Sequence, residues 1–405
     1  MTARRVAITG VGLVTALGAT RETTWSAMLD GACGIGPVTL FDPAGYRSQI
    51  GGQVSLDAVV GGMTPLQRRR WSRSDQFGVA ATAEAFADSG VLGTGVERHR
   101  VGVMLGAGTA DLVRNERYLF TIMERGLQHG RPSDVWNHFP NTPVDVIARH
   151  FGLEGCRSCV VAACSSSTIA IGQAMSAIRH NRLDVAVAGG TDALAQLTFS
   201  GFNALRLMDP APCRPFDRTR NGMSIGEGAG VLVLESLESA RRRGAFIYGE
   251  LAGYALACEA FHPTAPEPEG QTVAATIGQA LADARCPADQ VDHVNAHGTA
   301  TPQNDRAEAR AVHTAFGSRS GEVLVTSVKA MVGHCLGAAG GIEAAVTALS
   351  IARGVIPPTI HHAESDPECD VTVVANVARE QRLRSAVSIS LAFGGNDAAL
   401  VIRAL

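Results

Sequence analysis

The sequence predicts a layered α/β protein built from two similar halves, and three observations support this fold class. Short apolar segments alternate with small-residue segments along the whole chain, and the 45 glycines gather at the ends of the apolar segments. Strands that are apolar on both faces are typical of sheets covered by helices on both sides. A glycine turn followed by an apolar run occurs at 226–234 and again at 394–402. This repeat predicts an internal duplication, with one half over 1–245 and the other over 246–405.

The same pattern predicts the individual elements. Segments with the composition of buried strands lie at 6–8, 101–104, 185–188, 231–234, 291–295, 323–327 and 387–390. Residues 168–179 and 338–353 are predicted to form buried helices, because each is apolar nearly all round. Gly10 and Gly12 look like part of the G-x-G-x-x-G loop that binds dinucleotides. The third glycine of that motif is absent, and tight turns explain the two glycines better. Segments 126–141 and 261–270 have the glycine and proline content of surface insertions.

Composition narrows the function classes. A chain of 405 residues with 46% apolar content can bury a large core, as two domains or one double-size domain. The 35 basic and 38 acidic residues nearly balance and aromatic residues are few, so no nucleic-acid surface is expected. No apolar run reaches the roughly 18 residues of a membrane span, and the first strand begins too early for a signal peptide. The nine cysteines are scattered, and although Cys156 and Cys159 have CxxC spacing, no second pair matches them. A reduced, cytoplasmic protein is therefore predicted.

Cys164 lies where a short apolar strand ends and a small-residue helix begins. A thiol at a helix N-terminus lies beside unpaired backbone N–H groups, which lower its pKa and favour the nucleophilic thiolate. The same amides can hold an oxyanion next to the sulfur. Alternatively, the cysteine is a small buried hydrophobe and the serines at 165–167 only cap the helix. This segment alone leaves both interpretations open.

Two histidines in the second half extend this pattern. His297 follows a buried strand within a loop of glycine and threonine, and His334 lies at the mouth of a small-residue helix. Lys329 and Glu343 flank an almost wholly apolar segment, where an unpaired charge would be costly. A buried ion pair that orients His334 is therefore favoured over a surface pair. Together with Cys164, these side chains suit thioester chemistry, in which an acyl group visits a thiolate.

A zinc site is the alternative for the same residues. Its ligands would be Cys164, His297, His334 and Cys335. Such a site would not need Lys329, and no short-spaced pair of ligands anchors it. We therefore expect no metal.

Three segments closely resemble the active-site motifs of the β-ketoacyl-acyl-carrier-protein synthases, in the thiolase superfamily. They are VVAACSSS at 160–167, NAHGTATPQND at 295–305 and SVKAMVGH at 327–334. The likeness also covers 5–12, 214–217, 226–230 and 393–395, so it spans essentially the whole chain in the right order. The elongating, KAS II-like branch of type II fatty acid and polyketide ketosynthases fits best.

The resemblance implies a thiolase-type fold in α-β-α-β-α layers, with a five-stranded sheet in each half and a dimer formed through the first half. It implies that Cys164 accepts the acyl chain, while His297 and His334 hold the malonyl thioester carbonyl and promote decarboxylation. Lys329 would support His334, with Glu343 as its charge partner.

The resemblance also assigns groups around the nucleophile. The backbone N–H groups of Cys164 and Phe393 would form the oxyanion hole, and Phe393 would act as a gating residue. Thr299 and Thr301 would hydrogen-bond the pantetheine arm of the substrate.

The implied reaction is a decarboxylative Claisen condensation. An acyl chain moves from acyl carrier protein to the cysteine, malonyl-carrier protein loses CO₂, and the carbanion attacks to give a 3-oxoacyl thioester two carbons longer. No cofactor or metal is implied. Because the carrier protein is acidic, Arg69, Arg70 and Arg73 are candidate docking charges, although a run of arginines can equally be a solvated face.

Two departures from the family pattern concern the substrate. Leu391 replaces an aromatic residue and Ala392 a glycine, and alanine tolerates positive φ poorly, so a stiffer gating loop is expected. The serines at 165–167 are more reminiscent of polyketide synthase condensing domains than of housekeeping enzymes. We therefore expect a synthase for a specialised polyketide, polyene or unusual acyl chain.

Two alternatives to a self-sufficient synthase are considered. The chain could be the active or inactive half of a heterodimer with a chain-length factor, although inactive partners characteristically lack the cysteine. A degradative thiolase would be expected to have a second catalytic cysteine near the C-terminus in a Cys-x-Gly type segment. Here the last cysteine, Cys369, lies in an acidic segment instead.

Overall fold

The computed structural model describes residues 4–110, 112–131 and 139–405. The strands are β1 Val6–Val14, β2 Ile35–Pro37, β3 Ile50–Gly52, β4 Val101–Gly106, β5 Arg157–Val160, β6 Val185–Asp192, β7 Ile225–Gly226, β8 Gly228–Ser236, β9 Gly249–Cys258, β10 Val291–Asn295, β11 Leu324–Thr326, β12 Val355–Ile356, β13 Thr372–Val373, β14 Arg379–Glu380, β15 Ser385–Ser390 and β16 Asn396–Arg403. The helices are α1 Arg21–Leu29, α2 Leu56–Val59, α3 Pro65–Arg70, α4 Arg73–Ser89, α5 Leu112–Arg125, α6 Thr142–Phe151, α7 Ser166–Arg179, α8 Gln196–Ala204, α9 Leu237–Arg242, α10 Gln271–Ala284, α11 Pro302–Phe316, α12 Lys329–Val332 and α13 Ala339–Arg353.

The central sheet has 11 strands in the order β13-β11-β10-β15-β16-β9-β1-β8-β6-β4-β5. In the first half, β1, β8 and β6 are antiparallel to one another in turn, and β4 and β5 continue parallel to β6. The second half repeats this order and sense with β9, β16, β15, β10 and β11. The predicted duplicated α/β fold is confirmed.

Two details differ from the pair of five-stranded sheets that the resemblance implied. The short strand β13 pairs with β11 and adds a sixth strand to the second half. The halves also share one continuous sheet, because β1 pairs with β9 at its start. The division between 245 and 246 therefore stays a prediction.

Helices cover both faces of the sheet, and two further helices lie between its two halves. On one side α4 packs against β1 and β8, and on the other α10 packs against β9 and β16. Helices α7 and α13 contact each other and lie between the two halves. A Cβ on Gly340 would lie 1.9 Å from Thr168 Oγ1, so only glycine permits this approach of the two central helices. The layers bring the start of α7 and the start of α13 to the same place.

Local sequence explains where the outer helix α4 begins and ends. Ser72 and Asp75 form a capping box, in which the Asp75 N–H donates to Ser72 Oγ and the Ser72 N–H donates to the Asp75 carboxylate. Gly90, at φ +62°, ends the helix in the left-handed conformation.

The glycines at 10–12 do not form the tight turns that the sequence predicts. They lie inside β1, where a Cβ on Gly12 would be 1.8 Å from the carbonyl oxygen of Ala81 in α4. Close packing of α4 on the strand therefore explains both glycines. No helix in the described part of the chain is long and apolar enough to cross a membrane.

The two predicted insertions have different outcomes. Residues 261–270 form a loop without helix or strand, as predicted. The segment 126–141 includes residues 132–138, which lie outside the described part of the chain.

Candidate active site

Cys164 lies in the turn that joins β5 to α7. The preceding residue, Ala163, has φ +47°, which bends the chain sharply before the helix. Ser166 Oγ accepts from the Ala162 N–H at 2.8 Å and donates to the Ala163 carbonyl at 2.6 Å. Ser165 occupies the cap position without making a side-chain capping bond. The serines therefore hold the turn rather than cap the helix, and they keep the thiol at the helix start.

His334 contacts the thiol directly. Its Nε2 lies 2.9 Å from Cys164 Sγ. Its Nδ1 accepts a hydrogen bond from the Leu336 backbone N–H at 3.2 Å. In a neutral imidazole this places the proton on Nε2, so the ring presents an N–H donor beside the sulfur.

His297 presents a second donor in the same way. Lys329 Nζ lies 3.4 Å from His297 Nδ1 and donates to the His297 carbonyl at 2.6 Å. An ammonium beside Nδ1 leaves that nitrogen as acceptor and places the proton on Nε2. The two imidazole rings have centroids 5.3 Å apart and planes at 85°. The two imidazole rings therefore present two N–H donors beside the Cys164 sulfur.

Lys329 occupies a different position from the one that the resemblance implied. The Lys329 ammonium hydrogen-bonds to His297 and Glu343, rather than to His334. The strands preceding Lys329 and His297 are parallel neighbours, so the two loops meet at the same sheet edge. The ion pair with Glu343 is buried, with both side chains 2% exposed, as predicted.

Burial determines the charge of the two histidines. It lowers the pKa of His297 and of His334 well below the usual range, and the Lys329 ammonium lowers both further. Both rings are therefore neutral hydrogen-bond donors at neutral pH. This state suits the stabilisation of a carbonyl oxygen that gains negative charge.

The cysteine differs from the expectation of a lowered pKa. Burial raises the pKa of Cys164 to about 12, although the Lys329 charge and the Phe393 backbone N–H act in the opposite direction. The thiol is only 8% exposed, which explains why desolvation outweighs the helix N-terminus. The resting group in the closed pocket is the thiol.

A pocket of about 590 Å³, including its mouth, contains this cluster. Its lining includes the predicted site residues Cys164, His297, His334, Thr299, Thr301 and Phe393. The two threonine hydroxyls are 3.0 Å apart. The ring of Phe393 packs against Phe202 at a centroid distance of 5.6 Å. The structure thus brings the predicted nucleophile, donors and threonines to one cavity.

The loop that carries Phe393 has its left-handed residues at two glycines. Positive φ occurs at Gly394 and Gly395, at +83° and +76°, and Ala392 is not among the residues with positive φ. Leu391 is 5% exposed and belongs to the core of the second half. Ala392 is therefore not strained by a left-handed conformation here, and a stiffer gating loop stays a prediction.

Arg73 is not available for docking. It forms a salt bridge with the buried Glu227, donates to the Val54 carbonyl at 2.9 Å and lies over the Phe77 ring. The Glu227 carboxylate also accepts from the Val54 N–H at 2.9 Å. Arg73 therefore neutralises an internal carboxylate, and its assignment as a docking charge is wrong. Arg69 and Arg70 are exposed at the end of α3.

The zinc alternative loses its fourth ligand. The ligand atoms of Cys164, His297 and His334 lie within 4.8 Å of one another. The Cys335 thiol, however, lies 3.4 Å from the Glu227 carbonyl. The Lys329 ammonium against His297 also disfavours a second cation there.

Asp192 supports the site although the sequence analysis does not single it out. It is fully buried at the end of β6, and its carboxylate accepts from Thr109 Oγ1 at 2.7 Å and from four backbone N–H groups. Those N–H groups belong to Gly108, Thr109, Ala110 and Gly337. Asp192 thus fastens the loop after β4 to the segment after His334. Its position after a double glycine at a strand end is the only sequence signal.

Asp397, at the start of β16, also lines the pocket and was not predicted. It is 1% exposed, and burial, with the neighbouring Glu259 and Glu308, raises its pKa from 3.8 to about 8. An acid with a raised pKa binds more protons in the folded than in the unfolded state. Its contribution to stability is present below pH 3.8 and is lost as the pH rises through 8.

Asp397→Asn is therefore expected to flatten the decline of the free energy of unfolding between pH 5 and 8. The lost slope is at most about 1.4 kcal/mol per pH unit. Urea denaturation at several pH values measures it, with Asp57→Asn, in an exposed position, as the control. Equal slopes for the wild type and Asp397→Asn would contradict the prediction.

Comparison with known proteins agrees with this geometry. Residues 3–240 match the family described as "Beta-ketoacyl synthase, N-terminal domain", and residues 248–363 match its C-terminal domain. The chain belongs to the β-ketoacyl synthase family. The resemblance stated from the motifs is confirmed, and the protein is an acyltransferase-type condensing enzyme.

The relatives of this synthase come from two kinds of metabolism. It is 39% identical to the tetracenomycin polyketide synthase ketoacyl synthase alpha subunit of Streptomyces glaucescens, over 98% of this chain and 97% of the relative. It is 36% identical to 3-oxoacyl-[acyl-carrier-protein] synthase 2 of Synechocystis, over 99% of this chain and 98% of the relative.

Solved structures confirm the fold of this synthase. A chain of the ishigamide ketosynthase/chain length factor superposes with a TM-score of 0.94 and 33% identity, over 100% of both chains. A chain of a type II polyketide synthase acyl-carrier protein complex with its ketosynthase, bound to the hexaketide, gives 0.93 and 30%, again over 100% of both. The degradative thiolase alternative receives no support, and Cys369 is not among the residues lining the pocket.

Proposed function

We propose that this synthase extends an acyl chain held on Cys164 by decarboxylative condensation with a malonyl thioester of acyl carrier protein. The observation that carries the proposal is the convergence of one thiol and two imidazole N–H donors in a single pocket. This arrangement suits a reaction in which negative charge develops on a thioester oxygen.

In the first step the Cys164 sulfur forms a bond to the acyl carbon, and the bond from that carbon to the carrier sulfur breaks. The carrier leaves as a thiol, with the proton of Cys164. The N–H groups of Cys164 and Phe393 hold the oxygen of the tetrahedral intermediate. The Phe393 N–H opposes the effect of burial and acts to lower the pKa of Cys164, because it stabilises the thiolate. The same N–H would stabilise an oxyanion, which supports this role.

In the second step the bond between C2 of the malonyl group and its carboxylate breaks and CO₂ departs. The electron pair moves into an enolate, whose oxygen accepts from the Nε2–H groups of His297 and His334. C2 then attacks the acyl carbon on Cys164, and the sulfur leaves as a thiolate, which takes up a proton from solvent to return to the resting thiol. Lys329 acts through His297 and keeps its proton on Nε2. We propose that no metal or cofactor takes part.

Conversion of an acyl-carrier thioester and malonyl-carrier thioester into a 3-oxoacyl product two carbons longer tests the proposal. Mass spectrometry of the product, with release of one CO₂ for each condensation, is the expected result. Absence of product with every donor tested, both alone and with a co-expressed sister subunit, would contradict it.

We propose that the acyl chains are those of a specialised polyketide or polyene pathway. Similarity to the tetracenomycin and ishigamide proteins supports this proposal, whereas similarity to 3-oxoacyl-[acyl-carrier-protein] synthase 2 allows fatty acid synthesis. A panel of donors separates the two. Extension of saturated long chains as fast as any unsaturated or oxygenated chain would contradict the specialised role.

We propose that the synthase forms a dimer through its first half, with a second copy or with a chain-length-factor-like subunit. Strand β5 ends the described sheet and has one strand neighbour, β4. Helix α5, which has no buried residue, and the turn after it expose Leu119, Phe120, Met123 and Leu127. Large exposed apolar surfaces are typical of protein interfaces. Light scattering of the chain alone and after co-expression distinguishes the two partners.

We also propose a cytoplasmic location.

Charge reversal of both Arg69 and Arg70 is expected to raise KM for the carrier protein by roughly fivefold, with kcat nearly unchanged. The effect should shrink at high salt because exposed charges are screened.

Arg73→Ala instead removes the cation from the buried Glu227 and should lower the free energy of unfolding by about 3–5 kcal/mol. Carrier kinetics and urea denaturation measure the two outcomes. An unchanged KM in the double variant would exclude these arginines from docking.

A further inference from the structure

The carboxyl of Asp397 is buried in the wall of the pocket, and neither of its oxygens is satisfied by a described residue. Asp397 is 1% exposed and lines the cavity that contains Cys164. Neither of its carboxyl oxygens has a hydrogen-bond partner among the described residues, and Oε1 of Glu259 also has none. Buried polar groups without partners are costly, so they are rare in folded proteins unless a ligand completes them.

Strand pairing places these two acids on the same face of the sheet. Asp397 lies opposite Ala257 in the antiparallel pair of β16 with β9. Glu259 follows two residues later, and its N–H donates to the Gly395 carbonyl at 2.8 Å. Residues in such a diagonal relation have neighbouring side chains. Both acids therefore belong to one wall of the pocket, next to the loop that carries Phe393.

Several other residues of the pocket lining are apolar. They include Phe202, Leu207, Met223 and Leu391. A purely hydrocarbon chain would satisfy these side chains but would leave the carboxyl of Asp397 unpaired. The unmatched group is thus in a position to discriminate between substrates, because a buried polar group left without a partner disfavours the complex.

The neighbours of Asp397 determine the chemistry that it can bind. Glu259 and Glu308 are the charged groups near it, and both are acidic. They favour the neutral carboxyl, which has one O–H donor and one carbonyl acceptor. An uncharged hydroxyl, ketone or amide matches such a group, whereas the carboxylate of a malonyl unit is repelled by the acidic neighbours.

We propose that Asp397 is a substrate-binding residue whose carboxyl hydrogen-bonds an uncharged oxygen or amide group of the thioester held beside Cys164. This inference rests on the proposed condensing function and adds a substrate contact to it. The group bound is either an amide of the pantetheine arm or a hydroxyl or keto group on the acyl chain.

Steady-state condensation at a fixed concentration of malonyl-carrier protein tests the proposal, with hexanoyl, 3-hydroxyhexanoyl and 3-oxohexanoyl groups on the same carrier protein as donors. The variants are Asp397→Leu, which keeps the branched shape without hydrogen bonding, and Asp397→Asn, which keeps both a donor and an acceptor. Asp57→Asn is the surface control. If Asp397→Leu does not fold, Asp397→Ala replaces it. Acylation of the wild type is measured first, since its absence counts against the proposed function rather than against Asp397.

Asp397→Leu is expected to raise KM by roughly tenfold, with a smaller change in kcat, and Asp397→Asn should restore most of the affinity. A rise for the oxygenated chains alone assigns the contact to the acyl chain. An equal rise for all three assigns it to the pantetheine arm. Unchanged KM for all three donors, in a folded variant that still acylates Cys164, would overturn the proposal.

Discussion

Cys164→Ala is expected to abolish acyl loading and to slow condensation by at least about 10³-fold, because the sulfur is the atom that bonds to the acyl carbon. The variant should still release CO₂ from a malonyl thioester, since both imidazole donors remain around the pocket. Mass spectrometry of the protein measures loading, and release of CO₂ measures decarboxylation.

Cys369→Ala is the matched control for this experiment. Cys369 is 4% exposed but is not among the residues that line the pocket, so loading should be unchanged. Loss of activity in Cys369→Ala, together with normal loading of Cys164→Ala, would contradict the assignment of the nucleophile.

Glu343→Leu is expected to lower the free energy of unfolding by about 3–5 kcal/mol, because it leaves the Lys329 ammonium buried without its carboxylate. Combining it with Lys329→Met removes both charges and should recover much of that loss. Activity should not recover in the double variant, because His297 Nδ1 then lacks the donor that keeps the proton on Nε2. A residual rate lower by roughly 10²-fold is expected.

Urea denaturation and condensation rates of the two single variants and the double variant measure these effects. A double variant that regains both stability and rate would show that the ion pair has only a structural role. A double variant no more stable than the singles would show that the pair itself contributes the missing stability.

Much of the fold was predictable because burial on both faces leaves a clear pattern in the sequence. The segment 185–188 consists of valine and alanine and lies within β6, and the predicted helix 338–353 differs from α13 by one residue. The strand β9 was missed because Gly249–Cys258 contains glycines and alanines rather than a run of large apolar residues. Its small side chains give no period that distinguishes a strand.

The site was predictable as far as motif positions determine it, but contacts between distant segments were not. The five-residue spacing of Lys329 and His334 suggested a contact, yet Gly333, at φ +76°, redirects the chain between them. Arg73 looked like its exposed neighbours because its partner, Glu227, is distant in sequence. The pKa of Cys164 depends on how completely the pocket closes, which spacing along the chain does not reveal.

The most direct test of the condensing function is intact mass spectrometry of the wild-type protein with acyl-carrier thioesters, before and after malonyl-carrier protein is added. We expect an acyl adduct on Cys164 that disappears on addition of the malonyl thioester, as a 3-oxoacyl product appears on the carrier. An adduct that persists in the presence of malonyl-carrier protein, or one attached at another residue, would contradict it.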